Sequence, residues 1–389
     1  MPGDTFENSK KIRKNFSLYF LVVVSITILF FGLNPRTLSF SNHVEWIENQ
    51  SGIRFGKYGI AYTNSVNDDR GGISDSKTFS IEIALKLKKT NEEGYKFIFV
   101  LHNGRDSNQL LMGQYRSSII LMNGDDYAHK RNTKRITLDT ALLPTSTFFL
   151  TITTNNHGTK LYFEDRLISE KKDLTLEFPN SGKVILVLGN SVYGNHFWQG
   201  DIYGLAFYQS TLTSRDVKIH FARWTKENNF SFAKIAQPFI LFLFDEKESR
   251  WASDTSGGNH SLYIPKNIGT LERKFLVLPE KEIRFRMNSI ADIFLNIVGF
   301  IPFGFLLSAT LADLGGISRK YRGLITVGLC FMLSLVIEII QAWLPFRSSS
   351  LSDLMFNVFG GWIGSQIYLS RCRHLYDQLI GTVSRQLLS

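Results

Sequence analysis

Three pairs of polar residues, spaced three or four apart within apolar sequence, carry the functional groups most able to do chemistry. They are Asp292 with Asn296, Glu338 with Gln341, and Asp353 with Asn357, and Arg347 lies between the last two pairs. Such spacing puts both members of a pair on one face of a helix. Ionisable groups inside membrane-spanning sequence cost about 2.5 kcal/mol or more, so they face protein or a water-filled cavity. Arg347 and the starts of two helices favour an anion such as phosphate. The three carboxylates oppose one, unless a carboxyl is protonated or a hard cation such as magnesium bridges them. Glu338 lies farthest from the loop within its apolar segment, which makes it the candidate general acid or base. The pattern fixes no catalytic residue, no cofactor and no metal site. The competing use is structural: Asn296, Gln341 and Asn357 bond across helices, Arg347 pairs with Asp353 or Glu338, and Asp353 caps its helix.

The elements that must hold these residues are apolar segments at 290–312, 323–343 and 354–369, preceded far upstream by an uncharged run at 16–33. The first run would be roughly 27 Å long as a helix, enough to cross a bilayer core. A cleavable signal peptide is its rival, with a weak small-residue site at Ser39 and Ser41. Lys10, Lys11, Arg13 and Lys14 precede that run, Arg319, Lys320 and Arg322 lie in one connection, and Arg371 and Arg373 follow the last segment. The positive-inside rule assigns these clusters to the cytoplasm and gives four spans, with the polar pairs near the outer surface. The basic linker holding Arg273, Lys274, Lys281, Arg284 and Arg286 is discordant, although a large folded domain can be translocated despite such charges. Gly299, Gly304, Gly360, Gly361 and Gly364 permit close helix approach, and Pro302 predicts a kink. One outer polar layer argues against a transporter, which needs a path across the bilayer.

The 389-residue chain carries a formal charge of +10, yet its basic residues cluster beside apolar segments and form no basic stripe, so nucleic acid is not an expected partner. With only Cys330 and Cys372, the polar middle has no disulfide and no cysteine nucleophile. That middle reads as strands. Phe79, Ile81, Ile83, Leu85 and Leu87 alternate with Ser80, Glu82, Ala84, Lys86 and Lys88, the period of a half-buried strand. Short strands recur through residue 188, and Asn155-Asn156-His157-Gly158 separates two of them as a hairpin loop. Thr213-Ser214-Arg215-Asp216 is a capping box, after which Val217, His220, Phe221 and Trp224 share a helix face. The acidic residues Glu82, Glu164 and Asp165 read as solvent-facing or turn positions, which leaves no carboxyl pair for glycoside hydrolysis. Asp68-Asp69 and Asp125-Asp126 are loop acid pairs able to contribute to a calcium site.

Trp198-x-Gly200-x-Ile202-x-Gly204-Leu205-Ala206-Phe207-Tyr208, then Leu212-Thr213-x3-Val217, resembles the last strand and helix of laminin-G-like, concanavalin-A-like jelly rolls. Phe79-x-Ile81-Glu82 and Leu161-Tyr162-x-Glu164-Asp165 fit the same pattern. The resemblance implies an all-β sandwich over 54–265 that binds carbohydrate. Phe244-Asp245-Glu246 with Asp254-x-Ser256-Gly257 and Ile264-Pro265 resembles the unit that opens such domains. Here it comes last, so it either completes the sheet in permuted order or forms a linker hairpin.

Asn296-x2-Gly299-Phe300-x-Pro302-x-Gly304, Glu338-x2-Gln341, and Arg347 followed by Asp353-x3-Asn357-x2-Gly360 resemble the VanZ-like membrane family, with the jelly roll inserted after the first span. The expected order is a cytoplasmic tail at 1–15, an anchor at 16–33, the jelly roll at 54–265, a basic linker at 266–288, the VanZ-like module at 289–369 and a tail at 370–389. The resemblance implies a multi-pass protein of the bacterial inner (cytoplasmic) membrane, with the jelly roll outside. Its implied partners are membrane lipid and an envelope glycan or lipid-linked saccharide. The alternative is an enzyme modifying a cell-wall or lipid-linked substrate, with a role in antibiotic resistance.

Overall fold

The computed structural model describes residues 2–33, 40–66, 77–88, 94–124, 133–139, 146–179, 181–227, 230–278, 287–344 and 349–372, with 376 and 378. The chain forms two compact units. One joins Met1–Leu38 to Arg273–Ser389, and the other is Ser39–Glu272.

The second unit is an antiparallel two-sheet sandwich. Its first sheet runs in the order β1 (Val44–Trp46), β2 (Ile53–Phe55), β13 (Gly200–Tyr208), β4 (Phe79–Leu87), β9 (Phe148–Asn155), β10 (Gly158–Phe163) and β11 (Arg166–Lys171). The other sheet runs from β3 (Ala61–Thr63) through β12 (Ile185–Leu188), β5 (Lys96–His102), β6 (Leu110–Tyr115) and β7 (Ser118–Asn123) to β8 (Ile136–Asp139). Between them Ile81, Ile83, Phe99, Leu186, Leu205 and Phe207 are fully buried. Trp198 is buried as well, its indole N–H donating to Gln114 Oε1 at 2.9 Å, so its ring is taken up by the core. The segment after the helix completes both sheets. β14 (Ile240–Phe242) pairs with β13, while β15 (Trp251–Ala252) and β16 (Leu262–Tyr263) extend the second sheet beyond β3.

The local chemistry of the turns follows the sequence. His157 N–H donates to Asn155 Oδ1 at 2.8 Å, which closes the β9–β10 turn. In the capping box, Asp216 N–H donates to Thr213 Oγ1 at 3.2 Å and Thr213 N–H donates to Asp216 Oδ2 at 2.8 Å. These bonds start α2 (Ser214–Glu227), and the Thr213 hydroxyl, followed by the Thr213 N–H, donates to Asp216 Oδ2 and holds that carboxyl below its ordinary range.

One alternation is misleading. β4 is buried on both faces through Lys86's neighbour Leu85, because α2 and the turn Ser231–Ala236 cover the face that reads as polar. Glu82 is therefore fully buried, not solvent-facing. Tyr208 Oη donates to its Oε2 at 2.7 Å, His220 Nδ1 lies 3.0 Å from Oε1, and Thr151 Oγ1 donates to Oε1 at 3.4 Å. Burial, followed by the Glu82 carboxylate, pushes the Tyr208 phenol above its usual range. Glu164 does sit in a turn, at φ 57°. Asp68-Asp69 and Asp125-Asp126 lie outside the described residues.

In the helical unit, α1 (Pro2–Leu33) packs through Leu21, Val24, Ile28 and Leu29 on α3 (Met287–Leu314) and α4 (Arg319–Gln341). α3 also packs along α5 (Leu351–Ile367). Among the described residues, three helical stretches have the length and composition to cross a membrane: Asn15–Leu33, Ile293–Leu314 and Arg319–Gln341. The fourth expected span differs. α5 has 17 residues, roughly 26 Å, and ends in a π turn at Tyr368–Cys372 with Ser370 off helical geometry. At that length it lies at the lower end of the range for a spanning helix, and it is not among the three stretches above.

Glycine decides how closely α3 and α5 approach. A methyl at Gly304 would overlap the Gly361 carbonyl, and one at Gly364 would overlap the Ile301 carbonyl. Gly299 is different, because open space surrounds it.

Candidate functional site

Four of the polar residues, Asn296, Glu338, Asp353 and Asn357, lie where α3, α4 and α5 converge at one end of the bundle. Asn296 Nδ2 donates to Asp353 Oδ1 at 2.7 Å, which ties α3 to the first turn of α5. Glu338 on α4 is 1% exposed, and its Oε2 accepts the Ser350 backbone N–H at 2.7 Å. A carboxylate accepting at a helix N-terminus is favoured both by the unpaired N–H groups and by the helix dipole. Ser350, not Asp353, is the α5 cap, because its Oγ accepts the Asp353 N–H at 3.3 Å.

One turn further along, Asn357 Nδ2 donates to Ser334 Oγ on α4 at 3.0 Å. Asn357 is 5% exposed, and its Oδ1 has no partner among the described residues. Gln341 diverges from this group: its Nε2 donates to the Gly32 carbonyl at 2.8 Å, which binds α4 to α1. The side chain of Asp292 and all of Arg347 lie outside the described residues.

The connecting chain closes over this end. Val277 N–H donates to the Ser349 carbonyl at 2.9 Å, and Leu351 N–H donates to the Val277 carbonyl at 3.1 Å. Leu276 N–H also donates to Ser349 Oγ at 3.1 Å, and Arg273 lies over the Trp343 ring. The start of α5 is thus fixed from outside the helices as well as from within.

Polar residues are not confined to this layer. Below Glu338 on α4, Ser334, Thr326 and Arg322 are buried on the same side, with Cys330 between them. Ser308 Oγ lies 2.9 Å from both Thr326 Oγ1 and Ser365 Oγ, and Thr326 Oγ1 also donates to the Arg322 carbonyl at 2.9 Å. These hydroxyls bond to one another or to their own helix, which lowers the cost of placing them in an apolar bundle. The single outer layer expected from carboxylates and amides is thus extended along the helices by serine and threonine, with Thr326 and Ser334 on the four-residue row of α4 that holds Glu338.

This geometry leaves Asn357 Oδ1 able to accept a hydrogen bond from a polar group. Among the described residues no group of three His, Cys, Asp or Glu side chains is arranged to hold a metal ion.

The VanZ/LLP1 family model matches residues 233–373, from the last strands of the sandwich through the whole of this site. Protein VanZ of Enterococcus faecium is 27% identical over 88 residues, which cover 23% of this chain and 50% of that relative. The chain therefore spans half the length of the curated relative it matches. Among solved structures, the binding domain of botulinum neurotoxin serotype D is 17% identical, with 47% of this chain and 45% of that one covered and a TM-score of 0.36. The CBM40 of the Ruminococcus gnavus IT-sialidase, solved with α2,3 sialyllactose, is 14% identical, with 45% and 95% covered and a TM-score of 0.33. The C-terminal region, residues 233–373, is VanZ-like, and among the described residues three helical stretches of the chain are apolar enough to cross a membrane. The chain carries a β-sandwich between its first and second apolar helices.

Proposed function

We propose that this chain is a multi-pass protein of the bacterial cytoplasmic membrane whose helical unit binds the polar headgroup of a lipid or lipid-linked saccharide at the outer leaflet. The sandwich, held outside the cytoplasm, binds carbohydrate of the envelope. The observation that carries the headgroup reading is the buried polar cluster at the α5 N-terminus. Glu338 is bound to Ser350 N–H, Asn296 is bound to Asp353, and the Asn357 carbonyl oxygen is buried without a partner among the described residues. A buried acceptor left unpaired costs about 1–3 kcal/mol. A ligand hydroxyl or amide reaching it would recover that cost.

The depth and side rest on charge. Arg319 and Lys320 begin α4 at the end opposite Glu338, and basic residues flank these apolar stretches on that side. Asp292 and Arg347 belong to the same proposed pocket through their spacing, with Arg347 available to a phosphate. The carbohydrate reading of the sandwich rests on the jelly-roll resemblance of its sequence and on aromatic and amide side chains at one edge.

The test is photo-crosslinking of full-length protein in lipid nanodiscs containing a diazirine-bearing polyprenyl pyrophosphate saccharide, with diazirine phosphatidylglycerol as comparison. Labelling of the first probe on α4 or α5 is expected, with about tenfold loss in N357L and E338Q at unchanged melting temperature. Labelling by both probes alike, undiminished in the variants, would reduce the cluster to helix packing.

A further inference from the structure

The sandwich has a cleft of about 290 Å³ lined by Asn64, Ser65, Trp251, Asn259, His260 and Ser261. It lies at the β3–β16–β15 edge of the second sheet. Its volume is close to the lower end for small-molecule sites.

The walls are built in a particular way. Asp254 has a fully buried carboxyl that accepts from His260 Nδ1 at 2.8 Å, from Leu241 N–H at 3.0 Å and from Ser256 N–H at 2.9 Å. Burial raises that carboxyl, but the bonds from His260, Ser256 and Leu241 outweigh it and hold the group below its ordinary range. An ionised Asp254 fixes the Nδ1–H tautomer of His260, which leaves Nε2 as the acceptor. His260 is 8% exposed, and its Nε2 has no partner among the described residues. Gly258 makes room for the ring, since a methyl there would overlap the imidazole.

Trp251 supplies the apolar surface. It is 45% exposed, with its ring 4.7 Å from Tyr263, which in turn lies 5.8 Å edge-on to Tyr62. A tryptophan so braced presents a rigid face at little further entropic cost. Asn64 and Asn259 are exposed beside it, each with an amide donor and acceptor. Among the described residues, those that line the cleft include no carboxylate, lysine or arginine, and the Asp254 carboxyl lies buried behind His260.

From this cleft we propose a saccharide site in which one uncharged pyranose lies against Trp251 and bonds its hydroxyls to Asn64, Asn259 and His260. The inference rests on the carbohydrate reading of the sandwich and assigns it a place and a chemistry. A ring with axial hydrogens on one face and hydroxyls at its edge matches a flat aromatic bordered by amides. Nε2 lies so deep that a hydroxyl reaches it directly only at the cleft floor, or otherwise through a bridging water.

The experiment uses full-length protein in lipid nanodiscs on an array of immobilised envelope saccharides, comprising N-acetylglucosamine–N-acetylmuramic acid fragments and neutral hexose polymers. Affinity for the strongest probe is then measured in solution. Wild type is expected to bind, W251A to lose roughly tenfold or more, and N64A to lose several-fold, both with unchanged melting temperature. N64A changes only an exposed side chain, so it still reports if W251A folds poorly. Wild-type affinity in both variants would overturn this cleft as the site while the carbohydrate reading stands. No saccharide bound by wild type would overturn both.

Discussion

Glu82 and Glu338 are both buried carboxylates, and their partners give them different work. Glu82 is closed in by Tyr208, His220 and Thr151, so its acceptor capacity is spent within the sandwich. Removing one partner leaves a buried acceptor short of a hydrogen bond, a change that costs about 1–3 kcal/mol. H220A is accordingly expected to lower the stability of the sandwich by about that amount, read by denaturant titration of tryptophan fluorescence on the full chain. A loss below about 1 kcal/mol would show that water replaces the imidazole there. The sequence displays His220 on the apolar face of α2, but period two alone makes Glu82 look solvated. Which face of a strand is covered depends on what returns over it, and α2 returns from more than a hundred residues away. The VanZ-like residues were more legible because apolar surroundings leave a carboxylate few choices. Even so, the pairing of Asn296 with Asp353, rather than with a residue of α4, depends on how the helices are rotated.

At the scale of elements, the site depends on how closely α3 and α5 approach. Gly304 and Gly364 sit where a methyl would meet the backbone of the other helix, whereas Gly299 faces open space. G304A and G364A are expected to destabilise the bundle by roughly 2 kcal/mol each, since helices must separate to admit the methyl. G299A should be neutral or gain up to about 1 kcal/mol from helix propensity. Thermal melting of detergent-solubilised protein checks the contrast, and equal effects at all three positions would break the link between small residues and helix approach. All three glycines are plain in the sequence, and only the helix rotation separates them. The same limit applies to α5. An apolar stretch of suitable composition was visible at 354–369, but the π turn at Tyr368–Cys372 that ends its helix is a backbone event no hydropathy pattern reports. Serine and threonine are inconspicuous for a related reason: they bond back to their own helix and so leave little trace in an average of hydrophobicity.

Across the whole molecule, residues 1–38 and 273–389 build one unit, with the sandwich between α1 and α3 in the sequence. This arrangement makes the side of the sandwich depend on the parity of the spans before it. One crossing by α1 carries it out of the cytoplasm if the basic residues before residue 15 remain inside. Two substitutions read this directly. Lys172 is exposed on the sandwich and Lys320 is exposed at the start of α4. In a chain lacking Cys330 and Cys372, K172C should react with a membrane-impermeant maleimide on intact spheroplasts, and K320C should react only after permeabilisation. The reverse pattern would turn the molecule over, placing the Glu338 end at the cytoplasmic leaflet. Reaction of both from outside would remove the crossing by α3, since α1 alone would then separate the two positions from the cytoplasm. The position of α5 enters neither readout, so its 17-residue length does not weaken the test. Labelling of K172C alone therefore fixes the leaflet from which a headgroup must approach Glu338, Asn357 and the start of α5.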